Sequence, residues 1–132
     1  MEQKFIEIFT GLKRDYGYAD INSAFKDPAT GKLKLKYGWA AKPLSEADYL
    51  DHLSGKKSIG IQPCNDEGLA KFGAIDIDSE EYDNFDLRKY LEIIDKKNIP
   101  VVPVKSKSGG LHIYVFFKEP VKASFVRNFL DK

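Results

Sequence analysis

Cysteine and histidine are scarce in this sequence: Cys64 is the only cysteine among 132 residues, and His52 and His112 are the only histidines. A single cysteine excludes an internal disulfide, and one thiol with two imidazoles does not easily build a structural zinc site. No apolar run approaches the roughly 18 residues that a membrane helix needs. The first residues also lack the basic and then apolar pattern of a signal peptide. These absences predict a reduced protein of the cytoplasm, or of the host-cell cytoplasm if it is viral, with no membrane partner.

The balance of charge excludes a further class of protein. The 21 Lys and Arg residues and 20 Asp and Glu residues give a net charge of +1, so the chain is not a uniformly basic nucleic-acid coat. Locally, acidic residues dominate from Asp66 to Asp86, whereas basic residues dominate from Lys26 to Lys42 and from Lys105 to Lys132. An acidic segment between two basic ones suits a site for metal and phosphate, although solvated loops and sheet edges give the same pattern.

The first half of the chain predicts mainly helices. Apolar residues make up 42% of the sequence, enough for a core, and the length allows one domain or part of a larger one. Apolar residues at helical spacing predict an amphipathic helix over Glu2–Tyr16, in which Gly11 would cost about 1 kcal/mol relative to Ala. Ser45 and Asp48 form a capping-box signature, which predicts the start of a short second helix.

The second half predicts strands and helices in alternation. Short apolar runs rich in β-formers predict strands, and Asn84 and Ser124 suit the starts of two helices. The predicted strands are Ser58–Pro63, Phe72–Asp78, Val101–Lys105 and Leu111–Phe117.

The order strand, helix, strand, strand, helix from Phe72 onward begins a βαββαβ sandwich of the RNA-recognition-motif (RRM) type. We therefore expect an α+β fold. An N-terminal helical or mixed module (residues 1–57) would be followed by an incomplete RRM-like β-α-β-β-α catalytic module (residues 58–132). Because the closing strand is missing, the 132 residues are expected to be the N-terminal part of one larger domain.

Two carboxylates mark the end of the Phe72–Asp78 strand. Asp76 and Asp78 are two positions apart, and such residues project from the same face of a strand. Two ionised carboxylates in this arrangement repel each other unless a cation lies between them, and Mg²⁺ or Mn²⁺ suits such oxygen ligands. The alternative is a strand that ends in an acidic loop without a metal.

The predicted hairpin tip carries groups that suit a phosphate. Between Lys105 and His112, two glycines allow close approach of the backbone, while Ser hydroxyls, N–H groups and Lys ammonium groups can donate to phosphate oxygens. An ordinary polar hairpin would have the same composition. In the βαββ order the first and third strands are neighbours, so we expect Asp76, Asp78 and His112 to converge on one face. Carboxylates for metal beside donors for phosphate suit phosphoryl or nucleotidyl transfer.

Three stretches resemble the catalytic domain of the archaeo-eukaryotic primase superfamily, especially its bifunctional primase–polymerase branch from phages, plasmids and mobile elements. Ile75–Asp78, at the end of an apolar strand, is similar to the family's first motif. Ser108–His112, before the apolar run 113–117, is similar to its second motif, in which a small residue stands two positions before a His. Pro28–Trp39 and Ser58–Ile61 more weakly resemble the region that precedes the acidic motif. The likeness covers most of the chain from about residue 28.

The resemblance implies a DNA primase or DNA polymerase, a nucleotidyltransferase that adds nucleotides to a 3′-hydroxyl under the direction of a template in DNA replication. Asp76, Asp78 and His112 would be catalytic, and the two carboxylates would bind two Mg²⁺ or Mn²⁺ ions together with a third acid beyond Lys132. Lys34 and Lys36 are weaker candidates for contact with nucleic acid. The triphosphate would be held by Lys105, Lys107, Ser108, Gly109, Gly110 and His112.

The implied partners are nucleoside triphosphates, a single-stranded DNA template and primer, and a downstream helicase. Without the third acid, the 132 residues alone should be weakly active or inactive. Two other functions stay open: a non-catalytic RRM-like module that binds nucleic acid, and a glycosyltransferase that uses Asp-x-Asp to hold a metal. Trp39 could stack on a base, but a core position beside a turn is the expectation.

Overall fold

The computed structural model describes residues 2–78, 86–106 and 109–131. Within these ranges the chain forms helices and antiparallel strands, which confirms the predicted α+β class. None of the helices in these ranges is long and apolar enough to cross a membrane. The contacts divide the chain into two compact units, Met1–Leu69 and Ala70–Lys132. In chain order the elements are α1 (Glu2–Ile8), β1 (Tyr16–Lys26), β2 (Leu33–Ala40), α2 (Glu46–Leu53), β3 (Ser58–Gly60), β4 (Leu69–Ile77), α3 (Leu87–Lys96), β5 (Val102–Lys105), β6 (Leu111–Lys122) and α4 (Ala123–Leu130).

The first unit contains a three-stranded antiparallel sheet in the order β2-β1-β3. The register between β1 and β2 shifts between Asp20 and Phe25, where the chain bulges. The prediction of a helical or mixed module did not include β1 and β2. The predicted boundary at residues 57 and 58 also differs from the observed contacts, because β3 (Ser58–Gly60) pairs with β1 and lies in the first unit.

Helix α1 is shorter than predicted. It ends at Ile8, and Tyr16 begins β1 instead of ending a helix. The reason is a contact far along the chain: the Leu12 N–H donates to the Gln62 carbonyl oxygen at 2.9 Å. Gly11 permits this approach, because a Cβ there would lie 2.0 Å from the same carbonyl oxygen. The apolar spacing up to Tyr16 therefore reflects burial of Leu12 and Tyr16 without helical backbone.

Helix α2 begins as its capping signature predicts. The Asp48 N–H donates to the Ser45 hydroxyl, while the Asp48 carboxylate accepts from the Ser45 N–H at 2.9 Å. These reciprocal bonds satisfy donors that the first turn of a helix leaves without partners. The capping box therefore positions Asp48 at a buried place in the first unit.

The second unit has the predicted order β4, α3, β5, β6, α4. Its sheet has the order β4-β6-β5, so the two strands that carry the motifs are adjacent. One face of the sheet is apolar and packs on the helices. Ile77, Leu111 and Ile113 contact Leu87 and Tyr90 of α3. At the other end of the same face, the buried core consists of Ala70, Val115 and Val126, with Phe129 and Leu130 of α4 against it.

The burial of Trp39 and the N-terminal cap of α3 differ from their predictions. Trp39 is 67% exposed, so the expectation of a core position is wrong. The predicted cap Asn84 lies outside the described residues, and the side chain that accepts from the first turn of α3 is Asp86, which receives the Lys89 N–H at 3.0 Å.

Candidate active site on the second sheet

The two predicted motifs lie on adjacent strands of the second unit. Asp76 is in β4 and Asp78 directly follows that strand, two positions later. His112 is the second residue of β6. Ile77 and Ile113, which neighbour these residues in sequence, are buried against the helices. Because side chains alternate along a strand, Asp76 and His112 belong to the face opposite to these helices, and Asp78 follows Asp76 by two positions, just past the end of β4.

Asp76 and His112 are in direct contact. His112 Nε2 lies 3.3 Å from Asp76 Oδ1, with side chains 39% and 66% exposed respectively. An exposed pair of this kind contributes only about 0–1 kcal/mol to folding stability. The contact therefore adds little to the stability of the fold. What it provides is a carboxylate and an imidazole held side by side at the surface. The predicted convergence of Asp76 with His112 is observed.

Tyr114 completes a row of polar groups that the sequence prediction missed. Its hydroxyl lies 3.5 Å from His112 Nδ1, and the two rings meet edge to face at 6.1 Å. Burial raises the pKa of Tyr114, and the charge of Asp76 raises it further. The phenol therefore stays protonated at neutral pH. When it donates to Nδ1, a neutral imidazole carries its N–H on Nε2, facing Asp76. The sequence did contain a signal for this contact. Tyr114 is two residues after His112, so the two side chains share one face of the predicted strand.

The hairpin tip before His112 closes on itself through backbone hydrogen bonds. The Ser106 N–H donates to the Gly110 carbonyl at 2.9 Å, and the Gly109 N–H donates to the Ser106 carbonyl at 3.2 Å. Gly109 has φ +92°, a backbone conformation that suits glycine and strains other residues. Lys107 and Ser108, both predicted to hold the triphosphate, lie outside the described residues.

The predicted lysines do not all join this face. Lys105 is paired with Leu111 across β5 and β6, and directly paired residues share a face. Leu111 is buried on the helix side, so Lys105 starts from the face opposite to His112. Lys34 and Lys36 lie on β2 of the first unit, where the Lys34 ammonium binds the Asp27 carboxylate.

Asp76 and Asp78 fit part of a metal site. Carboxylate oxygens are suitable ligands for Mg²⁺ or Mn²⁺, and the exposure of Asp76 leaves room for water and phosphate ligands. In the described parts of the chain, no group of three or more His, Cys, Asp or Glu side chains is placed to hold a metal. The donor set therefore matches a hard cation and needs further ligands to complete its coordination.

Comparison with known proteins gives one family. No curated protein matches the chain. The family described as TOTE conflict system, archaeo-eukaryotic primase domain, matches residues 13–132. This range includes the Asp76 strand, the Gly109–Gly110 tip and His112, and it confirms the predicted superfamily. The narrower branch of phage and plasmid primase–polymerases stays a prediction. The chain belongs to the archaeo-eukaryotic primase domain family of TOTE conflict systems.

Proposed function

We propose that this chain catalyses metal-dependent, template-directed nucleotidyl transfer to a 3′-hydroxyl, as a DNA primase or DNA polymerase in DNA replication. Membership of the archaeo-eukaryotic primase family supports a primase-type nucleotidyltransferase. The observation that carries the finer proposal is the contact between Asp76 and His112, 3.3 Å apart on adjacent strands. It brings a candidate metal ligand and a candidate phosphate donor to one open face.

The acidic part of the proposed site consists of Asp76 and Asp78. These carboxylates would hold Mg²⁺ or Mn²⁺, and a third acid beyond Lys132 would complete the coordination. Such ions lower the pKa of an attacking hydroxyl and neutralise charge on a triphosphate. The exposed position of Asp76 leaves one side of its carboxylate open to ligands other than His112.

The phosphate-binding part consists of His112 and the hairpin tip. With its proton on Nε2, the tautomer that donation from Tyr114 to Nδ1 favours, His112 would donate to a triphosphate oxygen in place of Asp76. Gly109 and Gly110 carry no side chain that would block a triphosphate from the backbone. Lys107 and Ser108 at the tip would add charge and a hydroxyl donor, and Lys105 would contribute by long-range attraction from the other face.

The proposed partners are nucleoside triphosphates, a single-stranded DNA template and a primer, with a helicase as a further partner in replication. We place the activity in the cytoplasm, or in the host-cell cytoplasm for a viral protein. Lys34, bound to Asp27, is a poorer candidate for contact with the template than Lys36.

A second candidate function is non-catalytic binding of nucleic acid. Its support is the pair Tyr114 and Phe116, whose rings stack at 5.9 Å with 15° between their planes. Both rings belong to the same face as His112, and RRM-like modules present aromatic residues on such central strands to stack on bases. This alternative requires neither the carboxylates nor a metal.

Calorimetry separates the two candidates. Mn²⁺ and a nucleoside triphosphate are titrated into the chain and into Asp76→Ala, His112→Ala and Glu119→Gln. The last substitution is a matched control, because it removes an exposed carboxylate from the same strand as His112. Nucleotidyl transfer requires triphosphate binding that depends on Mn²⁺, is lost in Asp76→Ala and His112→Ala, and persists in Glu119→Gln.

Primer extension by a chain that continues past Lys132 tests the reaction itself. We expect incorporation of nucleotides that Asp76→Asn abolishes and Glu119→Gln leaves unchanged. Absence of both triphosphate binding and incorporation in the longer chain would contradict the proposal. Metal-independent binding of single strands, weakened by Phe116→Ala and unaffected by Asp76→Asn, would favour the second candidate.

A further inference from the structure

Two large aromatic side chains stand exposed on strand β2 of the first unit. Tyr37 is 80% exposed and Trp39 is 67% exposed. They are two positions apart, so they share one face of the sheet at a spacing of about 7 Å along the strand. Neighbouring exposed aromatics of this size are characteristic of interaction surfaces.

Small residues form the rest of that face. Trp39 is paired with Gly17 and Tyr37 with Ala19 across β1, and these are paired in turn with Gly60 and Ser58 of β3. Paired residues share a face, so the two aromatic rings border a floor of two glycines, an alanine and a serine. A Cβ built on Gly17 would come no closer than 3.7 Å to its nearest neighbour, the Gly60 backbone. The floor is therefore flat and open.

The space above this floor is a shallow cavity of about 210 Å³, lined by residues of β1, β2 and β3. Pockets for drug-sized ligands begin at roughly 300 Å³ and enclose most of the ligand. This cavity is smaller, and its most exposed walls are two aromatic rings. Its shape suits a flat group that stacks on a ring.

The strand that carries the two aromatics is held in place from behind. Gly38 lies between them, and a Cβ there would be 2.7 Å from the Tyr18 ring, so Tyr18 covers Gly38 on the opposite face. The Lys36 N–H donates to the Ser23 hydroxyl at 2.8 Å. Both contacts tie β2 to β1, so the aromatic side chains project from a fixed backbone.

The charge around β2 indicates which kind of ligand carries the flat group that would stack on these rings. From Lys26 to Lys42 the segment carries five lysines and one acid, Asp27. Asp27 is neutralised by Lys34, so the segment keeps an excess of positive charge. Lys36 is paired with Asp20 across β1, so one further acid lies beside this segment. β2 is an edge strand, and Lys36, which starts from the face opposite to Tyr37, borders the same edge as the two rings.

We propose that Tyr37 and Trp39 form a stacking platform for unpaired bases of single-stranded nucleic acid, on an edge strand whose segment carries an excess of lysine. Proteins that bind single strands combine stacking aromatic residues with positive charge along the backbone. An apolar peptide would use the rings but would gain nothing from the lysine excess. The platform uses residues of the first unit alone, so it stands or falls independently of the Asp76 site and of nucleotidyl transfer.

Tryptophan fluorescence tests the platform directly, because Trp39 is the only tryptophan in the chain. An oligodeoxythymidylate of about 12 nucleotides, a length within the usual site size, is titrated into the chain without metal. We expect saturable quenching of Trp39. Heparin, a polyanion without bases, should bind to the lysines without comparable quenching. Equal quenching by heparin would show a response to charge alone and would overturn the proposal.

Substitutions measure the stacking contribution by fluorescence anisotropy of a labelled oligonucleotide. Trp39→Ala and Tyr37→Ala should each weaken binding by about 5- to 150-fold, the range for loss of one base–aromatic stack, while Trp39→Phe should recover part of it. Phe25→Ala is the matched control. Phe25 is a 49% exposed aromatic of the same sheet, and its pairing with Lys34 places it on the opposite face. Its removal should leave affinity unchanged.

Two results would overturn the platform. One is oligonucleotide binding that neither quenches Trp39 nor weakens in Trp39→Ala while circular dichroism shows that the variant is folded. The other is sedimentation showing that the chain self-associates and that Trp39→Ala abolishes this, because a second copy would then be the occupant of the face.

Discussion

The Lys57 ammonium binds the Asp48 carboxylate in the first unit, and the Tyr16 hydroxyl lies 2.8 Å from the same ammonium. The Asp48 carboxylate also accepts from the Ser45 hydroxyl at 2.7 Å. Asp48 is in α2, Tyr16 begins β1, and Lys57 directly precedes β3. This polar cluster therefore joins three elements of the unit that carries the proposed stacking platform.

Removal of the Lys57 ammonium should destabilise the first unit. Lys57→Met keeps most of the aliphatic length but leaves the Asp48 carboxylate, only 10% exposed, without its counter-charge. We expect a loss of about 1–3 kcal/mol in the free energy of unfolding, measured in urea. Lys56→Met is the control, because Lys56 is exposed and its change should be within about 0.5 kcal/mol. Similar losses in both variants would show that the buried ion pair is not the cause.

The stability of the chain should fall in acid through Asp48. The hydrogen bond from Lys57 holds the pKa of Asp48 far below its usual range, against the opposing effect of burial. An unfolded Asp binds a proton near pH 4, whereas folded Asp48 does so only at lower pH. Its contribution is therefore complete above about pH 4 and is lost below it, with a slope of at most about 1.4 kcal/mol per pH unit.

Urea unfolding between about pH 2 and pH 6 measures this slope. The difference in unfolding free energy between the unmodified chain and Asp48→Asn should shrink as the pH falls below about 4. In Lys57→Met the same pH dependence should be flatter, because the hydrogen bond that lowers the pKa is gone. Parallel curves for the unmodified chain and Asp48→Asn would contradict the assignment.

Gly73 in the second unit marks the close packing of β4 against α4. A Cβ at this position would lie 2.5 Å from Val126 Cγ1 and 2.9 Å from Leu130 Cδ1. Gly73→Ala should therefore destabilise by about 1–3 kcal/mol through overpacking, despite the small gain that alanine brings by restricting the unfolded chain. Val126→Ala creates the missing space, so the double variant should be more stable than the sum of the single losses predicts. Additive losses would exclude this contact as the cause.

The second unit was predictable because its signals are local. The strand, helix, strand, strand order follows from short runs and their caps, and the adjacency of β4 and β6 follows from that order. This adjacency is what brings Asp76 to His112. Tyr114 was missed although it lies two residues from His112, because aromatic residues in a strand are usually assigned to the core.

The first unit was harder to predict because two of its apolar patterns, in β2 and in the N-terminal segment, do not correspond to the observed burial and backbone. Leu33, Leu35, Tyr37 and Trp39 alternate with polar or small residues, which is a strand pattern. Trp39 was expected in the core, yet both Tyr37 and Trp39 are exposed. The apolar spacing that predicted a helix up to Tyr16 is equally compatible with a non-helical segment. In the structure the Leu12 N–H bonds to the carbonyl oxygen of Gln62, 50 positions later in the sequence.

The substitution Gly11→Ala should change stability in opposite directions in the predicted long helix and in the observed structure. Inside a helix, Gly11→Ala would stabilise the protein by about 1 kcal/mol. In the structure, the new Cβ would lie 2.0 Å from the Gln62 carbonyl oxygen, so the bond from the Leu12 N–H to this oxygen could not keep its geometry. We expect a loss of about 1–3 kcal/mol in the free energy of unfolding. Gly60→Ala is the control, because its Cβ would meet only the Gly17 backbone, at 3.7 Å. A gain in stability for Gly11→Ala would restore the longer helix and contradict the observed contact with Gln62.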